Sequence, residues 1–204
     1  IPAMLDFALL SYVAVMSITP GPNNLMLATS GVNFGFQRTL PHVFGVSIGH
    51  AVQVTLTATL LVFILAGMDS VRLPLAVAGC VYLLWLSWQI LRAGSPEARD
   101  SARPMSLFGA ALFQWVNPKA WIMVLNAAIL FMPRDGHDPA TALWLGLVCA
   151  AINLPCIAVW ALAGDRLRHW LSSPAALRVF NTVMATLMAA TGLWLLVDEL
   201  PALA

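Results

Sequence analysis

The chain has 204 residues, of which 60% are hydrophobic and only 9% charged, far below the roughly one quarter charged that a soluble domain carries. So few charged side chains cannot cover a compact globule in water, whereas lipid removes the need, so a membrane protein is expected. Ten Lys and Arg against nine Asp and Glu leave a formal charge of +1, which provides no basic field for a nucleic-acid partner.

A membrane-crossing helix needs about 20 mostly apolar residues, and six stretches qualify: 4–29, 42–67, 70–92, 107–132, 139–164 and 176–199. The expected fold is therefore all-α, a polytopic membrane protein of six transmembrane helices. The loops fall at 33–41, 68–72, 93–104, 133–138 and 165–174, and none has room for a soluble domain. Residues 1–204 form one transmembrane domain: three helices in 1–92, a cytoplasmic loop at 93–106 and three helices in 107–204. No Lys or Arg precedes the first apolar run and no AxA-like site follows it, so this segment is expected to stay in the mature protein.

The first stretch holds Thr19-Pro20-Gly21-Pro22-Asn23-Asn24. Pro20 and Pro22 lack the amide donors that would bond the carbonyls of Met16 and Ile18, and Gly21 frees the backbone between them, so the helix is expected to break. In hydrocarbon a freed carbonyl is costly unless water, a ligand or a neighbouring helix satisfies it. Re-bonding by neighbours is one solution, and a break that lines a cavity is the other. In a cavity, the half-helix from Pro22 offers amide donors and a positive dipole end to a carboxylate, joined by the amides of Asn23 and Asn24. The freed carbonyls suit an ammonium.

The second stretch carries Gly45 and Gly49 as a GxxxG helix-packing motif. It also carries His50, the one histidine well inside a predicted span, whose titration range suits a proton carrier as well as a hydrogen-bonded neighbour. Cys80 in the third stretch, and Cys149 and Cys156 in the fifth, lack CxxC spacing, which argues against a disulfide framework or a zinc site. The fourth stretch contains Asn117-Pro118-Lys119, with Pro118 freeing the carbonyl of Gln114. An ammonium at the bilayer centre costs about 2.5–3.5 kcal/mol on insertion scales, so Lys119 marks a functional site by default. It can pair with a substrate carboxylate, carry a proton, bond the carbonyls at Pro20 to Pro22 or snorkel to the interface. Trp115 and Trp121 flank this break, while Trp85, Trp144 and Trp170 are placed as interfacial anchors.

Arg38, Arg92, Arg99, Arg103, Arg166, Arg168 and Arg178 belong to the first, third and fifth loops, against Arg72 and Arg134 on the other side. Positively charged loops stay in the cytoplasm, so both termini are expected outside, in the periplasm of a Gram-negative cell. Pro22 and Pro118 stand 96 residues apart, close to half the chain. Gly45, Gly49 and Gln53 of the second stretch are matched by Gly146, Ala150 and Asn153 of the fifth. Broken helices at matching points of two halves point to two inverted three-helix repeats, with helices 1 and 4 broken at the binding site.

These residues resemble the LysE/RhtB family of bacterial amino-acid exporters: the motif from Thr19 to Asn24, then Gly31, Gly35 and Phe36, then Gly45, Gly49 and His50, and finally Asn117-Pro118-Lys119. Length and six-helix layout agree from end to end. The similarity is greatest to the RhtB branch, and it implies an inner-membrane carrier, not an enzyme. Such a carrier exports homoserine, threonine, cysteine or related neutral metabolites by proton antiport, with the proton gradient as energy source and no cofactor. It further implies that Pro20, Gly21, Pro22, Asn23 and Asn24 lie on the transport path.

The expected mechanism is alternating access by two antiparallel halves, with a zwitterionic amino acid held by Pro20 to Asn24 and Asn117 to Lys119, and a proton carried by His50 or Lys119. The partners are this substrate and the lipid bilayer, and the unit is left open between monomer and homodimer. Two other classes are weighed. A cadmium-type exporter would gather Cys80, Cys149 and Cys156 as soft ligands, and a membrane enzyme would build on Ser47 and His50.

Overall fold

A computed structural model describes residues 7–93, 103–132, 139–171 and 173–199. The described residues form eight α-helices and one 3-10 turn, with no strand: α1 (Phe7–Ile18), α2 (Pro22–Phe34), α3 (Phe36–Thr59), α4 (Leu61–Ala93), α5 (Leu107–Phe113), the turn Gln114–Val116, α6 (Pro118–Phe131), α7 (Pro139–Arg168) and α8 (Pro174–Glu199). The chain is all-helical, and both expected breaks are present. The first apolar stretch is divided into α1 and α2, the fourth into α5 and α6.

The loops depart from expectation in three places. The loop expected at 33–41 shrinks to Gly35, whose φ of 84° lets α2 turn directly into α3, a conformation that costs glycine nothing. Pro41 then lies inside α3. The loop expected at 68–72 is helical, and the chain breaks earlier, at Leu60. Asp69, Ser70 and Arg72 read as an exit from the membrane, but none of them bars helical backbone, and α4 runs through. α7 likewise continues past residue 165 to Arg168. Most of the expected loop at 93–106, the loop at 133–138 and both termini fall outside the described residues.

The surface is inverted relative to a soluble protein. Large apolar residues such as Val15, Val81, Trp88, Phe108, Leu130 and Val179 are more than half exposed, whereas Ser17, Asn24, His50, Gln53, Gln114, Asn117 and Asn153 are buried. That is the arrangement lipid favours. α3 makes the point within one helix: Phe44, Ile48, Val52 and Leu56 face outward, while Thr39, His42, His50, Gln53 and Thr57 face in. Three helices have long apolar segments able to cross a membrane by length and composition: Leu73–Arg92, Pro139–Arg168 and Pro174–Trp194. Phe7–Ile18, Leu107–Val116 and Pro118–Phe131 are shorter apolar pieces, as broken spans should be.

Packing is crosswise. α1 and α2 lie against α7, α5 and α6 lie against α3, α3 crosses α7, and α4 pairs with α8. Small residues let these backbones meet. A Cβ on Gly31 would strike the Ala161 carbonyl and one on Gly164 the Ala28 carbonyl, both between α2 and α7. Gly45 and Gly49 play the same part between α3 and α5, against Leu107, Ala110 and Ala111.

Candidate functional site

At the first break the question is where the freed carbonyls go. Met16 O accepts from Thr19 Oγ1 at 3.1 Å, Ser17 O from Asn24 Nδ2 at 2.8 Å, and Ile18 O from Trp160 Nε1 at 3.0 Å. Thr19 O accepts from Asn24 Nδ2 and from Lys119 Nζ, each at 2.7 Å. The Lys119 ammonium also donates to Thr19 Oγ1 at 2.9 Å and to Pro20 O at 3.1 Å. Lys119 therefore reaches across from α6 to close the break in the other half. Gly21 makes room for it: a Cβ there would stand 2.6 Å from Lys119 Cδ.

At the second break Asn117 is extended, and α6 begins on Pro118. The Gln114 carbonyl freed by Pro118 accepts from Gln53 Nε2 of α3 at 3.1 Å, and Trp115 O accepts from Trp121 Nε1 at 2.9 Å. The freed carbonyls, expected to await an ammonium guest, are thus engaged by the protein's own side chains. The two helix starts also differ. Asn117 Oδ1 accepts from Lys119 N at 3.1 Å and caps α6, whereas no side chain caps α2. The first amides of a helix have no partner within it, so the start of α2 is the better anion site.

Both breaks line one cavity of about 30 Å³. Gly21, Asn23, Asn24, His50, Asn117 and Lys119 border it, together with Ser17, Gln114 and Asn153. Pro20, Pro22 and Pro118 shape the backbone beside it without lining it, and Gly45 and Gly49 pack helices elsewhere. Gln114 orients the polar groups. Its Nε2 donates to Val46 O at 3.0 Å, which turns its Oε1 toward Asn23 Nδ2 at 2.8 Å. Because a carbonyl only accepts, this fixes both amides and leaves Asn23 Oδ1 buried and unpaired. Asn153 donates to Ser17 Oγ at 2.9 Å, and its Oδ1 is also unpaired, as is His50 Nε2.

Each such orphan costs about 1–3 kcal/mol, so the cavity gains when a hydrogen-bonding guest enters. It offers donors, the Lys119 ammonium and the α2 amides, together with the bare amide oxygens of Asn23 and Asn153. A volume of 30 Å³ holds about one water, so an amino acid requires the walls to part. Gln114 and Asn153 were missed as site residues. The available signal was an amide inside an apolar helix, which the pairing of Gln53 with Asn153 had half disclosed.

Of the residues named for other chemistries, His50 borders the cavity, and Ser47 and the cysteines do not. Ser47 Oγ donates to Ala150 O at 3.1 Å, bridging α3 to α7. Cys149 is buried in an apolar cluster with Val54, Met123 and Leu145, and all three cysteines are free thiols. Among the described residues no three His, Cys, Asp or Glu side chains gather to hold a metal ion.

The sequence profile described as LysE type translocator matches residues 14–199. The cysteine/O-acetylserine efflux protein of Klebsiella pneumoniae is 32% identical over 158 residues, 77% of this chain and 80% of the relative. The protein of the same description from Escherichia coli K12 is 28% identical over 188 residues, 92% of this chain and 94% of the relative. One from Shigella flexneri is 28% identical over 179 residues, 87% and 90% respectively. No solved structure matches the chain. The profile runs through both breaks and into the last turn of α8, and by that match the chain belongs to the LysE type translocator family, a membrane transporter and not an enzyme.

Proposed function

We propose that the protein exports small neutral amino acids, of the cysteine, O-acetylserine, homoserine and threonine kind, across the inner membrane by proton antiport. One observation carries this reading: two helix breaks from opposite halves of the chain share a polar cavity lined both by cationic and amide donors and by orphaned amide oxygens. A zwitterion fits that combination. Its carboxylate meets Lys119 and the start of α2, and its ammonium meets Asn23 Oδ1 and Asn153 Oδ1. The export direction and the substrate class are supported by the relatives described as cysteine/O-acetylserine efflux proteins.

Six membrane crossings arranged as two inverted repeats, 1–92 and 107–204, accord with the crosswise packing of each broken helix on the middle helix of the other half. The arginine-rich loops then face the cytoplasm and both termini the outside. A carboxylate arriving at Lys119 draws the ammonium away from Thr19 and Pro20, which releases the bond between the halves. A proton taken up at His50 or Lys119 resets it.

The test is efflux of preloaded cysteine and O-acetylserine from vesicles with and without a pH gradient. Efflux that speeds with an inward proton gradient is expected. Indifference to the gradient ends the antiport reading, and absence of efflux ends the export reading. Asn23→Ala and Lys119→Ala are each expected to cut the rate at least about tenfold, as loss of a charge-assisted or buried hydrogen bond would, at unchanged membrane abundance.

A further inference from the structure

A second cavity, of about 120 Å³, lies toward the arginine-rich end of the bundle. α2 contributes Ser30 and Asn33, α3 contributes His42, α4 contributes Gln89, and the stretch before α5 contributes Arg103. It is distinct from the cavity at the breaks. α2 holds Asn24 in one and Ser30 in the other, about 9 Å apart along the axis at 1.5 Å per residue. Met26 lines it and packs with Leu83, Phe113 and Met188 in an apolar cluster.

His42 separates this cavity from a packing defect. It is 2% exposed, and both ring nitrogens are buried without a hydrogen-bond partner. A neutral imidazole needs an acceptor for one nitrogen and a donor for the other, and a void that stays empty is normally apolar throughout. The nearby hydroxyl protons are already committed. Thr39 donates to Gly35 O, so the bond between Ser30 and Thr39 uses the Ser30 proton, and Thr29 donates to Leu25 O. Asn33 and Asn181 exchange two amide bonds. The hydroxyls and the Asn33 amide beside His42 thus supply it no donor, and its two nitrogens stay open to a guest.

We infer that this cavity is a loading site, where an outgoing short-chain amino acid docks its carboxylate on Arg103 and a polar group on His42 before it passes to the helix breaks. The space equals about four waters and is several times that of the cavity at the breaks. An exporter takes its cargo from the cytoplasm, and the arginine-rich end is the one that faces it. Met26, Leu86, Ile90 and Met105 are among its apolar lining, which suits a thiol or ester side chain over a charged one. The inference rests on the export reading.

Inside-out membrane vesicles present the cytoplasmic face to added substrate, so uptake of labelled cysteine or O-acetylserine reports loading. Arg103→Gln is expected to raise the half-saturating concentration about tenfold, as loss of a charge-assisted contact does, with the maximal rate held within about twofold. Discrimination between cysteine and cysteinamide, which lacks the carboxylate, should collapse in that variant and recover in Arg103→Lys. His42→Leu should raise the half-saturating concentration similarly without lowering the thermal midpoint, because the orphaned ring is removed. Unchanged half-saturation in Arg103→Gln and His42→Leu, or full discrimination retained in Arg103→Gln, overturns the loading site while leaving export intact. A wild-type chain that takes up neither substrate overturns the export reading, and this inference with it.

Discussion

The Lys119 ammonium donates to oxygens of Thr19 and Pro20, none of them a carboxylate. Such a charge stays available to an anionic guest, because neutral oxygens compete weakly with a carboxylate for an ammonium. Its position depends on Gly21, which leaves space for the lysine stem. Gly21→Ala should therefore displace a flexible side chain and little else: efflux falls about tenfold while the thermal midpoint holds. Asn24→Leu should do the reverse at first sight of heat. It unpairs the Ser17 carbonyl at about 1–3 kcal/mol and leaves Thr19 O to Lys119 alone, so thermal unfolding in detergent shifts downward. Equal stability loss in both variants would show that Gly21 serves packing and not the lysine. The breaks were legible in the sequence because proline and glycine act on the local backbone, and a bond from Lys119 to the carbonyls at Pro20 to Pro22 was among the readings left open, of which Pro20 O is engaged and Thr19 is added. The orphaned oxygens of Asn23 and Asn153 were not legible, since which way an amide points depends on Gln114 and Val46, far off in sequence.

At the scale of elements, α3 and α2 show how a membrane bundle holds together without a hydrophobic drive between helices. α3 turns apolar residues to lipid and polar ones inward, so close approach and hydrogen bonds must bind it to α5 and α7. The glycines supply that approach, and the atoms facing them are backbone, which cannot yield. Gly31→Val would press on the Ala161 carbonyl and Gly45→Val on the Leu107 carbonyl. Overpacking costs about 1–3 kcal/mol, so both variants should show reduced folded yield after detergent extraction, and wild-type yield would mean that the helices sit farther apart. Gly45 and Gly49 were legible as packing residues from their spacing alone. The boundary at Leu60 was not, because no proline, glycine or charge marks it, whereas Asp69 and Arg72 carried a misleading signal of exit. Hydropathy also undervalues α3, whose buried polar face lowers its average.

For the molecule as a whole, the proposed alternation divides the crosswise packing into two groups, α1 and α2 with α7, and α5 and α6 with α3, which meet where α3 packs on α7. The central cavity lies between these groups: Ser17, Asn23, Asn24 and Asn153 on one, His50, Gln114, Asn117 and Lys119 on the other. Side-chain bonds between the groups include Lys119 to Thr19 and Pro20, Asn23 to Gln114, Tyr12 to Met123 O and Ser47 to Ala150 O. Apart from the Lys119 ammonium these are neutral bonds, worth about 0.5–1.5 kcal/mol each, weak enough for a substrate and a proton to reverse. Opening a cavity of 30 Å³ to admit an amino acid then requires α3 and α7 to shift against each other. Ser47 and Ala150 meet at that crossing, away from the cavity lining. Ser47→Cys with Ala150→Cys, in a chain whose Cys80, Cys149 and Cys156 are replaced by serine, allows a short bifunctional thiol reagent to join the two groups. Efflux should stop on bridging and return when the bridge is reduced, while the single-cysteine chains treated alike keep transporting. Continued transport through a completely bridged pair would mean that α3 and α7 move as one body, and the alternation would have to be sought between α4 and α8.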